Sequence, residues 1–68
     1  MSHRERIGRQ IAQIRQERGI TQEQLAESTG LQRVNISKIE NGRYNVSIDI
    51  LQKICNSLDC ELKIKAAE

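Results

Sequence analysis

Val34, Ser37, Lys38 and Asn41, with Arg33 beside them, are the residues of this chain whose types and spacing could carry chemistry. At about 100° per residue the first four fall on one side of a helix, opposite Ile36 and Ile39, and Arg33 flanks them at the N-terminal end. The chemistry open to such a face is recognition, not bond making. A guanidinium can pair with the O6 and N7 of guanine, and an isopropyl group can pack on a thymine methyl. Lys and Arg side chains and helix N-termini can hold phosphates and set register.

Bond-making chemistry finds little support. Cys55 and Cys60 are the only cysteines, and His3 is the only histidine. A zinc site needs about four N or S ligands, which two thiols and a distant imidazole do not supply. An enzyme would need a nucleophile with its base, a carboxylate pair in a pocket or a metal cage. The sequence therefore predicts no catalytic residue, no metal and no cofactor. Both cysteines read as reduced core fillers of a cytoplasmic protein, since nothing marks an oxidising compartment and no apolar run is long enough to span a membrane.

The chain has 68 residues, enough for one small domain spanning 1–68. A domain this short is often marginal alone, so oligomerisation is expected. Eleven Lys and Arg stand against nine Asp and Glu, a net charge of +2, which does not by itself indicate nucleic acid. With no Phe, Trp or Pro and one Tyr, the core must be aliphatic.

The elements that must carry the polar face follow from local signals. Ser2 with Glu5 fits a capping box, and Ile7, Ile11 and Ile14 recur at helical spacing, so a first helix starts near Arg4 and stops at Gly19. Thr21 and Gln24 form a second box, opening a helix that buries Leu25 and Ala26. Gly30 can take a positive φ and turn the chain, after which Leu31 re-enters the core. A third helix runs roughly from Gln32 to Asn41, stopped by Asn41–Gly42. Ser47 caps a fourth, whose buried stripe is Ile48, Leu51, Ile54, Cys55 and Leu58. Cys60, Leu62, Ile64 and Ala66 then alternate with Glu61, Lys63 and Lys65, a period of two that reads as a strand over Cys60–Ala66. A fifth helix and an unstructured terminus are the other readings of that tail. Thr21–Gly42, two helices around a Gly turn, is the arrangement whose second helix enters the DNA major groove.

The ordered set Arg15, Gly19, Thr21–Gln22, Leu25–Ala26, Gly30, Ile36, Ile39 and Glu40–Asn41–Gly42 closely resembles the Cro and lambda-repressor type of helix-turn-helix regulators, the XRE family. The likeness spans roughly Ile7 to Leu58. It implies an all-α, compact four-helix domain that binds double-stranded operator DNA, usually as a homodimer on a palindromic site. By position, Gln22 would contact a phosphate, and Arg33, Val34 and Lys38 would reach base edges. Gln32, Ser37, Asn41 and Arg43 would lie near phosphates or flanking bases. Arg15 and Glu40 would form a partly buried structural salt bridge between the first and third helices.

The chain departs from that pattern in three places. Gln32 stands where many relatives have Ser or Thr, no Pro lies near Val46, and the tail alternates where many relatives have a fifth helix. The last resembles the antitoxin branch of the family, of the HipB kind, in which a toxin protein would be a partner. In this reading Cys60, Leu62 and Ile64 lie on a strand that pairs with the same strand of a second subunit. The expected function is a repressor, with an antitoxin repressing its own promoter, or a protein-interaction module, as alternatives.

Overall fold

The computed structural model describes residues 2–64. Within them the chain forms α1 (His3–Glu17), α2 (Gln22–Thr29), α3 (Arg33–Glu40) and α4 (Ile48–Leu58). Each start has a local cause. Ser2, Thr21 and Ser47 hold extended backbone, and their side chains accept from the N–H groups of Glu5, Gln24 and Ile50. Only the Thr21 cap is a full reciprocal box, with the Thr21 N–H donating to Gln24 Oε1 at 2.9 Å. At Ser2 the hydroxyl instead donates to Glu5 Oε1, so that box is half made. Gln32 caps α3 without a side-chain hydrogen bond, and α3 accordingly starts at Arg33.

The ends are equally local. Gly30 takes φ 75°, and the Leu31 N–H reaches back to the Ala26 carbonyl at 3.1 Å, which the Gly30 N–H also meets, closing the end of α2. Asp59 does the same for α4 at φ 54°, with the Cys60 N–H on the Cys55 carbonyl at 2.9 Å. Arg18, just after α1, donates to the Asp59 carbonyl at 3.1 Å and ties the two helix ends together.

Ile11, Leu25, Ala26, Ile36, Ile39, Leu51, Ile54 and Leu58 form one buried cluster, with Ile7, Ile14, Ile20 and Leu31 packed at its edge. α3 lies between α1 and α2, and α4 closes the core from the side of α2. Among the described residues, no buried side-chain N or O lacks a partner. Thr29, buried at the end of α2, gives its hydroxyl to the Leu25 carbonyl at 2.7 Å.

One sequence expectation needs correction. Ile48 is not part of the buried stripe of α4: it is 73% exposed. It stands about 70° off the mean direction of Leu51, Ile54, Cys55 and Leu58 on a helical wheel, and its Cβ tilts beyond the first turn, away from the core. The tail's strand is expected against a second subunit, not within a single chain. Cys60–Ile64 has no regular secondary structure, because every neighbouring element is a helix and offers no ladder to pair with; Lys65 and Ala66 lie outside the described residues. The fold of the chain is all-α.

Candidate nucleic-acid interface

α3 presents a face that the core does not use. Val34 is 53% exposed. Gln32, Arg33, Lys38, Asn41 and Arg43 are exposed around it, and Ser37 is half-buried. These six polar residues and Val34 share one surface, running from the cap of α3 to the loop after it. Asn41 folds back so that its Nδ2 donates to the Ser37 carbonyl at 2.9 Å, which closes the last turn. Gly42 at φ 72° then lets the Arg43 N–H donate to the Lys38 carbonyl at 2.8 Å, setting the direction in which Arg43 leaves the helix.

Gln22 begins α2 beside the start of α3, across an open depression lined by Ile20, Thr21, Glu23 and Arg33. Its side chain is not simply splayed to solvent. Gln22 Nε2 donates to Glu40 Oε1 at 3.0 Å. The same carboxylate takes two hydrogen bonds from Arg15: Nε to Oε2 at 2.6 Å and Nη2 to Oε1 at 3.1 Å. Arg15 Nη1 donates to the Ile20 carbonyl at 2.8 Å. The pair is largely desolvated, with side-chain exposures of 12% for Arg15 and 7% for Glu40. One network therefore joins α1, α2, α3 and the connection before α2.

Sequence reasoning missed three features. Gly8 is buried on α1, and a Cβ there would fall against the Ile39 carbonyl and within 2.8 Å of the Glu40 carbonyl. The absent side chain is what lets α1 approach the end of α3. A Gly inside an otherwise strong helix pattern is the signal that could have found it, since it costs about 1 kcal/mol against Ala without a packing reason. Glu23 approaches Arg33, with Oε1 4.0 Å from Nε, both exposed. The bond from Gln22 to Glu40 is the third, and no local pattern predicts it.

The thiols take no part in this surface. Cys55 is buried and Cys60 half-buried, both free. Burial, together with hydrogen bonding to and charge repulsion from Cys60, pushes the Cys55 thiol up to about 11, so it stays protonated and unreactive at neutral pH. Among the described residues, no three or more His, Cys, Asp and Glu converge on a metal position. No helix among them is long and apolar enough to cross a membrane.

A family model described as Helix-turn-helix, HTH_3, matches residues 11–64. The chain is 37% identical over 62 residues to the immunity repressor protein of Bacillus phage phi105, covering 91% of this chain but only 43% of that protein. It is 40% identical over 58 residues to the control protein C.BamHI of Bacillus amyloliquefaciens, covering 84% and 72% of the two chains. Among solved structures, the clp gene regulator ClgR of C. glutamicum superposes with a TM-score of 0.86 at 30% identity, covering 87% of this chain and 76% of that one. The chain belongs to the helix-turn-helix family HTH_3, a class of DNA-binding transcriptional regulators. It spans less than half the length of the phage repressor it matches.

Proposed function

We propose that this chain is a sequence-specific DNA-binding repressor that acts from the cytoplasm on a palindromic operator as a homodimer, a single domain over 1–68. The observation that carries the reading is the exposed face of α3, where Arg33, Val34 and Lys38 stand clear of the core. Arg33 pairs with a guanine, Val34 packs on a thymine methyl and Lys38 reaches a neighbouring base edge. Gln22, Gln32, Ser37, Asn41 and Arg43 contact phosphates or flanking bases and set the register. The relatives named as a phage immunity repressor and a control protein favour a repressor over a toxin-binding role. Nothing in the geometry favours an antitoxin or a pure protein-interaction module.

The test is selection of a binding site from a random duplex library, followed by Arg33→Ala on the selected site. Arg33→Ala is expected to lose about 1–3 kcal/mol on that site and to relax preference at one base pair. Equal loss on selected and random DNA would remove Arg33 from base reading. Specific binding should also weaken steeply with salt, as phosphate contacts release counterions.

The dimer is read from the tail. Leu62 is 45% exposed and Ile64 fully exposed, beside a groove of about 530 Å³ lined by Ile7, Ile11, Ile14, Leu51 and Leu58. Antiparallel pairing of Cys60–Ala66 with its copy would satisfy the tail's backbone groups about a two-fold axis and let Leu62 and Ile64 cover apolar surface. Two recognition helices would then read half-sites about 34 Å apart. Ile64→Asp is expected to give a folded monomer with weakened operator binding, by analytical ultracentrifugation and circular dichroism. A dimer that survives Ile64→Asp at micromolar concentration removes the tail from the interface.

A further inference from the structure

We propose that Glu40 is a positioning residue for DNA binding: acting through Gln22, it aims an amide N–H at a phosphate beside the start of α2. The proposal rests on the DNA-binding reading above. Its starting point is the shared oxygen, Glu40 Oε1, which accepts from both Arg15 Nη2 at 3.1 Å and Gln22 Nε2 at 3.0 Å.

A carboxylate offers acceptors only, so the Gln22 amide must turn its nitrogen toward Glu40 and its oxygen away. The flipped amide would set Oε1 against the negative carboxylate. Nε2 carries two N–H groups, and one is taken by Glu40. The other is left for an acceptor outside this network, and a phosphate oxygen is such an acceptor. The Gln22 carbonyl oxygen could not serve, because a phosphate oxygen facing it would meet a second acceptor.

Without Glu40, the amide could rotate and flip freely, and the contact would have to order it at the moment of binding. With Glu40, that ordering is already in place. Arg15 makes the arrangement tolerable beside DNA, since its guanidinium holds the carboxylate by two hydrogen bonds and offsets the negative charge. Arg15 is itself held by the Ile20 carbonyl, one residue before the Thr21 cap of α2. Because Glu40 sits on the last turn of α3, the network also sets where the phosphate contact stands relative to the recognition face.

A phosphate contact acts on any sequence, so a mixed-sequence duplex of about 20 base pairs at low salt is the probe, followed by fluorescence anisotropy. Gln22→Met keeps the bulk and removes the N–H; it is expected to lose about tenfold in affinity. The packed apolar pair Arg15→Met/Glu40→Leu removes the acceptor without stranding a charge; it is expected to lose a similar factor in protein that circular dichroism shows to be folded. In that background Gln22→Met should bind no more than about twofold more weakly, because both changes remove one contact. Should that pair fail to fold, Glu40→Met serves as the second background. A Gln22→Met loss of the same size in the wild-type and the apolar background overturns the positioning role, as does unchanged affinity of the folded apolar variant. Wild-type protein that binds no duplex overturns the DNA-binding reading and this proposal with it.

Discussion

Replacing Glu40 by alanine is expected to cost about 3 kcal/mol, because it strands a guanidinium with little access to water. Arg15 is only 12% exposed on its side chain, and two of its hydrogen bonds end on Glu40. Gln22 loses its partner at the same time. A domain of this length has roughly 3–10 kcal/mol in total, so the loss takes a large share of it. The melting temperature should fall by about 15 °C. The experiment that separates a stranded charge from a lost attraction is the double replacement Arg15→Met/Glu40→Leu. Two apolar side chains of similar size leave no stranded charge, though the Ile20 carbonyl and the Gln22 amide lose a partner, and much of the stability should return. If thermal melts show the two sites to be additive, the pair contributes nothing as a pair.

Gly8→Ala is the second large effect, and its sign is the point. Helix propensity alone favours Ala over Gly inside α1 by about 1 kcal/mol. Packing argues the other way. The new methyl would meet the carbonyl oxygens of Ile39 and Glu40, which are backbone atoms of α3 and cannot swing aside as a flexible side chain would. Overpacking of this kind costs about 1–3 kcal/mol, more when the obstacle is rigid. We expect a net loss of about 2 kcal/mol, read as a drop of about 10 °C in the melting temperature. DNA affinity should fall as well, since relief of the clash moves the end of α3 that carries Glu40, Asn41 and the turn into Arg43. An increase in melting temperature would show that α1 can retreat from α3 without loss.

The two residues differ in how visible they are from the sequence. Glu40 has a motif around it, Glu40–Asn41–Gly42, and a family resemblance that pairs it with Arg15. Gly8 has neither, and nothing within a few residues says which backbone it must admit. Its neighbours belong to another helix.

That contrast runs through the whole molecule. The sequence by itself determined where helices begin and end, because a cap is a bargain among residues three to five apart: Ser2, Thr21 and Ser47 accept from N–H groups in their own first turns, and Gly30 bends its own chain. It also determined the outward set Val34, Ser37, Lys38 and Asn41, since a short helix with Ile36 and Ile39 buried has one face left over. Tertiary structure decided everything that depends on which surfaces meet. Ile48 fits the apolar stripe by type, yet the core contacts of α4 begin at Ile50 and Leu51 and leave it in water. The resemblance gives Gln22 only a phosphate to contact, yet Glu40, 18 residues away, takes its amide. The tail alternates like a strand, but alternation supplies only the side-chain pattern; backbone pairing needs a second strand, and this chain's own neighbours are helices. Hydrogen bonds within a turn are written in adjacent residues, whereas contacts between helices depend on an arrangement that no short stretch of sequence contains.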